Sequence, residues 1–488
     1  MADLSQIGLY GLAVMGQNFA LNMASHGFQV SVCNRSPAKV DTTVQRADAE
    51  GKLPLKGFKD PKEFIESLEK PRKVILLVQA GKPVDDTIEL LSQYMEAGDC
   101  LVDGGNEWFP NSVRRSEALQ SKGIMFVGMG ISGGEEGARN GPSLMPGGPR
   151  EAYDLLQPII TKCAAQVDDG ACVAYLGEVG SGNYVKMVHN GIEYGDMQLI
   201  AECYDVLRIA GGLTNDELSQ TFTEWNQGEL QSFLIEITSI IFAKQDDMGQ
   251  GHLVDKILDK TGMKGTGRWT IQEAAERSVP APTMAGALDA RYLSARKEER
   301  VAASTVLQGP AEIPSVDRAQ LIDDVRQALY ASKICSYAQG LSLIEAASDH
   351  FGWGVDLGEC SRIWKGGCII RAAFLDRIKQ AYVRTPNLKN LLVDPDFAQE
   401  LNARQPSWRR VVSLCVASGI ACPSLAQSLA YFDAYRRARL PANLTQAQRD
   451  FFGGHTFERV DREGQFHCAW TDDHKDIGNI NERKAGEL

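Results

Sequence analysis

Over the first 180 residues, short apolar runs alternate with stretches in which apolar residues recur every three or four positions. The runs lie at Gln6–Tyr10, Gln29–Asn34, Lys73–Val78, Asp99–Asp103, Met125–Met129 and Cys172–Leu176. A short apolar run fits a buried strand, and three-to-four spacing fits a helix with one buried face. Repeated strand-then-helix order predicts an α/β fold with a parallel, doubly wound sheet. After Gly182 the strand runs stop and the helical spacing continues to about Leu440, which predicts a large all-α domain. Within it Glu202, Gly211 and Trp225-x-x-Gly228 are echoed in order by Glu345, Gly354 and Trp364-x-x-Gly367, so duplication of a helical unit is expected. From Pro441 to Leu488 the chain is polar and charged, with Gly453-Gly454, Gly464 and Gly478 breaking any long helix, and reads as a tail. Three regions follow: 1–180, 181–440 and 441–488.

Composition narrows the function classes. Lysine and arginine number 51 against 63 aspartates and glutamates, a net charge of −12, which disfavours non-specific binding to nucleic acid or anionic membranes and points to a small-molecule substrate. Eleven cysteines occur without a CxxC pair or a His/Cys metal-ligand spacing, and their odd number argues against a disulfide framework. A reducing compartment fits. The longest strongly apolar run, Val74–Val78, is too short for a membrane span, and the opening Met1-Ala2-Asp3-Leu4-Ser5 has no basic and apolar leader regions. The expected location is the cytoplasm, with a plastid left open.

Candidate chemistry begins at Gly11-Leu12-Ala13-Val14-Met15-Gly16, which follows a strand and opens a helix, the context of a Rossmann-type dinucleotide-binding turn. Gly11 permits the tight turn, Ala13 is small enough for close pyrophosphate approach, and Gly16 lets helix and strand pack closely. A glycine-rich turn alone would be an ordinary strand-to-helix connection. The end of the second strand says more. Sites for NAD place a carboxylate there for the ribose hydroxyls, whereas this chain has Asn34-Arg35-Ser36 followed by Lys39. Arg35 can clamp a 2′-phosphate through its guanidinium fork and Lys39 adds charge, so NADP is the expected cofactor.

A second constellation lies at the start of the helical region. Lys186, His189, Asn190 and Glu193 stand at i, i+3, i+4 and i+7 and share one helical face. Val185, Met187, Val188 and Ile192 flank them, so the polar face is expected to be buried, and buried polar clusters are usually functional.

The stretch Lys186–Asp196 resembles the signature of the 6-phosphogluconate dehydrogenase family, decarboxylating enzymes of the pentose phosphate pathway. The resemblance covers nearly the whole chain and includes Gly11–Gly16, Asn34-Arg35, Asp103-Gly104-Gly105-Asn106, Ser132-Gly133-Gly134, Gly141–Gly148, Lys264-Gly265-Thr266-Gly267 and Arg449-Asp450-Phe451-Phe452-Gly453-Gly454-His455. It implies oxidation of 6-phosphogluconate at carbon 3, loss of carbon dioxide from the β-keto acid, and protonation of the enediol to ribulose 5-phosphate, without a metal. It makes Lys186 the base for the hydroxyl proton and Glu193 the acid that protonates carbon 1. Lys186 must then be neutral when it acts, which burial can bring about, and Glu193 must be a neutral acid, which needs a raised pKa.

The same resemblance assigns ligands. Cofactor contacts are Gly11, Leu12, Ala13, Val14, Met15, Gly16, Asn34, Arg35, Ser36, Lys39, Val78, Gln79, Ala80 and Asn106, with Asn106 shared by the substrate. Ser132, Gly133 and Gly134 follow the strand at Met125–Met129 and leave backbone N–H groups approachable at the carboxyl edge of the sheet. His189 and Asn190 bind substrate oxygens, with His189 rejected as the base. Tyr194, Lys264, Thr266 and Arg291 surround the phosphate, joined by Arg449 and His455 from the tail of the neighbouring subunit, which makes a homodimer the minimal active unit. Two positions depart from the common pattern, Ser36 for threonine and Gln79 for lysine, and Gln79 bears on NADP affinity rather than on reaction type. Two rivals are a non-decarboxylating β-hydroxyacid dehydrogenase, which needs neither Glu193 nor the phosphate set, and an NADP-sensing protein, which would tolerate loss of Lys186 or Glu193.

Overall fold

The computed structural model describes residues 4–470 and 478–479. The rest of the expected tail, 471–477 and 480–488, lies outside the described residues. The chain packs into two compact units, Met1–Leu429 and Ala430–Leu488.

The first unit opens with the expected strand–helix alternation. Its elements are β1 (Ile7–Tyr10), α1 (Val14–Ser25), β2 (Val30–Cys33), α2 (Pro37–Ala49), β3 (Leu55–Phe58), α3 (Pro61–Glu66), β4 (Lys73–Leu76), α4 (Lys82–Ser92), β5 (Cys100–Asp103), α5 (Phe109–Gln120), β6 (Met125–Ser132), α6 (Gly134–Asn140), β7 (Ser143–Gly147) and α7 (Arg150–Cys163), followed by a two-residue ribbon of β8 (Gln166–Val167) and β9 (Gly170–Ala171). Strands β1, β2 and β5 are buried along their whole length, as expected for strands covered by helices on both faces. The seven-stranded sheet has the order β3-β2-β1-β4-β5-β6-β7. The order reverses between β1 and β4, so a crevice opens at the carboxyl ends of these two strands.

Two features correct the expected sheet. β7 runs antiparallel to β6, so the sheet is parallel only through β6. Cys172–Leu176 is not a strand of it. β7 already fills the edge beside β6, and the 172–176 run makes a single bridge, Val173 to Leu144, burying Cys172 and Leu176 as a loop. The apolar run marks burial there, not strand pairing.

Helices follow as expected: α8 (Ser181–Ile209), α9 (Asn215–Trp225), α10 (Phe233–Ala243), α11 (Thr266–Glu276), α12 (Pro282–Ala295), α13 (Lys297–Ser304), α14 (Arg318–Phe351), α15 (Leu357–Ile363), α16 (Phe374–Arg384), α17 (Pro395–Ser418) and α18 (Pro423–Tyr435). The repeated markers fall at equivalent places. A long helix, α8 or α14, carries the glutamate, the glycine follows its end, and a shorter helix, α9 or α15, closes at the tryptophan. The copies also meet reciprocally, Phe233 N donating to Arg371 O at 3.0 Å and Ala373 N to Gln231 O at 2.9 Å. These two bonds form one antiparallel bridge, Ser232 to Ala372, between the segments that follow the two tryptophans.

The sequence break near residue 180 does not separate compact bodies. The first turns of α8 lie directly on β6, where a Cβ at Gly128 would fall 1.9 Å from the Asn183 side chain and one at Gly130 2.4 Å from Lys186 Cβ. Gly128 and Gly130 thus allow helix and strand to interlock, and sheet and helices share one compact unit.

In the second unit, α19 (Ala442–Gly453) is followed by three short antiparallel strands, β10 (Phe457–Glu458), β11 (Gln465–His467) and β12 (Gly478–Asn479). The glycines expected to break any long helix do so here, since Gly454 caps the twelve-residue α19 at φ +59° and Gly464 turns the chain before β11 at φ +116°. Asp450 holds this unit together. Its buried carboxylate accepts from Thr456 N, His467 Nδ1, Cys468 N and Trp470 Nε1 at 2.8–3.1 Å.

Candidate active site

The turn between β1 and α1 has the build of a phosphate cradle. Gly11 sits at φ +105°, and a Cβ at Gly16 would lie 1.8 Å from the Gly11 carbonyl oxygen, so only glycine closes the turn so tightly. Ala13 caps α1, whose first turn contains no acidic residue, and Ala13 and Val14 are exposed while Leu12 is buried and Met15 partly so. The backbone N–H groups at this helix start therefore face no carboxylate of their own helix. Leu12 N donates to Asn34 Oδ1 at 2.9 Å, which ties the turn to the end of β2.

Beside the turn is a cavity of about 470 Å³ whose wall includes Asn34, Arg35, Ser36, Lys39, Val78 and Gln79. Arg35 and Lys39 are exposed, and no carboxylate among the described residues pairs with either. The one acid in the wall, Asp86, is taken up by Lys82 one turn away on α4. The cavity thus offers two cations to an anion. Ala80 is part-exposed just beyond it, and Asn106 stands exposed past the end of β5. These residues fit a 2′-phosphorylated dinucleotide.

Lys186, His189 and Asn190 are brought together on α8 as their spacing predicts, and all three are buried. Lys186 Nζ donates to Asn190 Oδ1 at 3.0 Å. The same oxygen lies 2.9 Å from His189 Nδ1, so that nitrogen carries the imidazole proton and Nε2 is left as the acceptor, 3.4 Å from Ser132 Oγ at the end of β6. Asn190 Nδ2 then donates to Thr266 Oγ1 at 3.2 Å, which extends the array to the start of α11. Ser132 is buried, and Gly133 and Gly134 start α6 with φ +114° and +63°.

Burial sets the acidities. It pushes the Lys186 ammonium below its ordinary value, against the Glu193 and Cys368 side chains nearby, which favour the cation. The His189 imidazole is driven well below its usual range by burial and by Lys186, and stays neutral. Glu193, two turns beyond Lys186, is raised above its ordinary value by burial, against the pull of Lys186 and Arg291. A lysine biased toward the amine and a glutamate biased toward the acid on one helix suit proton removal and proton return.

Past Glu193 a second group forms. The Arg291 guanidinium lies 3.5 Å from the Tyr194 ring centroid, and a Cβ at Gly267 would meet the same ring at 2.4 Å. Thr266 is buried and Lys264 exposed on the segment leading into α11. The remaining expected ligands, Arg449 and His455, belong to the second unit, both exposed, with Arg449 Nη1 donating to Gln446 Oε1 at 3.1 Å.

Gly128, Gly130, Cys368 and the Asp196–Lys333 pair are contributors that the sequence alone does not reveal. Gly128 admits Asn183 and Gly130 admits Lys186 to the face of β6, a role hidden in an ordinary strand run. Cys368 places a buried thiol beside Lys186 from the far side of the repeat. Asp196 was visible in the signature without a partner, and Lys333 of α14 supplies it through a buried ion pair of 2.5 Å.

Comparison with known proteins agrees with this geometry. The model for the NAD binding domain of 6-phosphogluconate dehydrogenase matches residues 6–177, and that for the C-terminal domain of 6-phosphogluconate dehydrogenase matches residues 182–470. The chain is 64% identical over 475 residues to 6-phosphogluconate dehydrogenase, decarboxylating 3, chloroplastic, of Arabidopsis thaliana, covering 96% of this chain and 98% of the relative. It is 55% identical over 471 residues to 6-phosphogluconate dehydrogenase, decarboxylating, of Synechococcus elongatus, covering 96% and 99%. Among solved structures, Plasmodium falciparum 6-phosphogluconate dehydrogenase, described with its cofactor NADP+ and with its substrate 6-phosphogluconate, superposes with a TM-score of 0.92 at 49% identity, covering 95% of this chain and all of that one. With both halves of the chain matched and the buried lysine–asparagine–histidine array in place, the chain belongs to the decarboxylating 6-phosphogluconate dehydrogenase family.

Proposed function

We propose that this chain oxidises 6-phosphogluconate at carbon 3 with NADP+, releases carbon dioxide and forms ribulose 5-phosphate, and that Lys186 and Glu193 carry the proton transfers. The observation that carries this reading is the buried array of Lys186, His189, Asn190 and Thr266, with Glu193 two turns on. Lys186 in its amine form takes the proton of the carbon-3 hydroxyl. Now an ammonium, it donates to the new carbonyl oxygen and stabilises the negative charge that develops there as the carboxylate leaves as carbon dioxide. Glu193 as the neutral acid returns a proton to carbon 1 of the enediol. NADP+, when bound, supplies the hydride acceptor. Gly11 to Gly16, Asn34, Arg35, Ser36, Lys39, Val78, Gln79, Ala80 and Asn106 would hold it.

For the substrate, Ser132, Gly133, Gly134, Asn106, His189 and Asn190 act at the carboxylate and hydroxyl end, and Tyr194, Lys264, Thr266 and Arg291 at the phosphate. One flexible ammonium, Lys264, and one guanidinium fork, Arg291, suit a dianion. In this reading residues 1–180 bind the cofactor, 181–440 form the substrate and dimer region, and 441–488 reach the partner subunit, where Arg449 and His455 complete the phosphate site. Supporting the last point, α19 buries only Asp450 and leaves Leu444, Phe451 and Phe452 more than half exposed, an apolar face that a second subunit would cover. No helix among the described residues is long and apolar enough to cross a membrane, and ten of the eleven free cysteines are buried, which fits a reducing compartment such as the cytoplasm or a plastid.

The test is stoichiometric. Incubation with 6-phosphogluconate and NADP+ should yield NADPH and carbon dioxide in equal amounts. NADPH without carbon dioxide would favour a non-decarboxylating β-hydroxyacid dehydrogenase, and neither product would refute the assignment. Mixing Lys186→Met subunits, inactive alone, with Arg449→Ala subunits, which alone have a raised KM for 6-phosphogluconate, should restore a site of low KM only if the tail acts in trans.

A further inference from the structure

A charge cluster unrelated to the buried α8 array sits beneath the two loops that follow β4 and β5. Its centre is Arg115 on α5, whose side chain is 2% exposed. The guanidinium spends its donors on four different groups. Nε donates to Asp85 Oδ1 at 2.7 Å, Nη1 to Glu107 Oε2 at 2.7 Å and Asp103 Oδ2 at 3.3 Å, and Nη2 to the Gly81 carbonyl at 2.8 Å. Glu107, equally buried, is just as fully used. Its Oε2 also accepts from Gly81 N at 2.7 Å, and its Oε1 accepts from Trp108 N at 2.9 Å and Asn111 Nδ2 at 3.0 Å.

The loops so held are the ones that carry ligand residues. Gly81, gripped through both its N–H and its carbonyl, ends the Val78-Gln79-Ala80 stretch. Asn106 stands between Gly105, whose N–H is fixed by Asp103 Oδ1 at 3.0 Å, and Glu107 itself. Asn106 is exposed, yet its chain neighbours on both sides are pinned from below. A buried ion cluster is a poor way to gain stability, because desolvation consumes most of the Coulomb attraction. It is a good way to hold two backbone segments at a set separation, because a guanidinium fork permits few geometries.

We propose that Arg115 and Glu107 are positioning residues that set the separation of the β4–α4 and β5–α5 loops, and through them the placement of Asn106 and residues 78–80 against cofactor and substrate. The proposal rests on the ligand roles given above to Asn106 and to residues 78–80. Neither Arg115 nor Glu107 touches a ligand in it.

Steady-state kinetics of Glu107→Gln test this, since the amide keeps the shape and one acceptor but loses the charge that Arg115 and Gly81 N share. The expected result is a rise of about tenfold in KM for both NADP+ and 6-phosphogluconate, with kcat at saturation within about threefold of wild type. In an Asn106→Ala background the same change should alter the 6-phosphogluconate KM by less than about twofold, because the residue it acts through is gone. A lowered melting temperature with both KM values unchanged would mean the cluster only supports the fold, and would overturn the proposal. If Asn106→Ala alone leaves both KM values unchanged while Glu107→Gln still raises that for NADP+, the role given to Asn106 fails and the clamp stands through residues 78–80. Should Glu107→Gln not fold, Arg115→Lys retains the charge without the fork and is expected to raise KM for NADP+ several-fold. Unchanged KM values there would equally overturn the proposal.

Discussion

Arg35 and Lys39 stand exposed at the mouth of the crevice, whereas Lys186, His189 and Asn190 lie buried on α8, with Glu193 mostly enclosed nearby. Both regions carry basic side chains that the proposed function sets against an anionic ligand, and it uses them differently. An exposed arginine keeps its hydration and its charge at any ordinary pH, so it can recognise a phosphate but cannot exchange protons with a substrate. A buried lysine is pushed toward its neutral form and can do so. In the proposed function, recognition is built from groups left in water, and proton transfer from groups withdrawn from it.

Substitutions should separate the two regions by what they change. Lys186→Met should have the largest effect, lowering kcat by on the order of 10³–10⁴-fold in steady-state assays while leaving NADP+ affinity near wild type. An equal loss of cofactor affinity would blur the division. Deletion from Pro441 onward should come next. Loss of the Arg449 and His455 contacts should raise KM for 6-phosphogluconate by about 100-fold, read from initial rates, and a truncated protein with wild-type KM would break the assignment of the tail. Arg35→Asp should lower the preference for NADP+ over NAD+ by about 10- to 100-fold in kcat/KM and leave kcat with saturating cofactor within a few-fold. Thr266→Val should be mildest. Asn190 and the substrate phosphate each lose the Thr266 hydroxyl, and kcat/KM should fall by about five- to tenfold, with the Lys186–Asn190 contact intact.

The two regions also differed in how readable they were. The turn Gly11–Gly16, Asn34-Arg35 and the face Lys186–Glu193 could be read directly because each lies within a single turn, strand end or helix, where residue spacing dictates geometry. What joins them could not. Gly128 and Gly130 look like ordinary strand residues until α8 is laid on β6, and the contacts that decide their role come from more than fifty residues away. The Arg115 cluster draws its acids from position 85 on α4, position 103 at the end of β5 and position 107 in the loop before α5, a spacing with no periodic signature. β3 and β7 were missed because Lys56-Gly57 and Pro146 dilute their strand character, and neighbouring strands, not propensity, hold them. The tail's order depends on Asp450, whose four partners are reached only after the chain turns back.

The claim that burial tunes the α8 groups for proton transfer is tested most directly by the pH dependence of kcat, compared between wild type and Glu193→Gln. Lys186 must begin as the amine, so rate is lost as pH falls through its pKa, which burial has moved below 10.5. Glu193 must be the neutral acid, so rate is lost as pH rises through its pKa, which burial has moved above 4.5. The wild-type profile should therefore be bell-shaped between those limits, and Glu193→Gln should retain the acid limb at a reduced rate while losing the alkaline one. An alkaline limb that persists unchanged in Glu193→Gln would contradict the account.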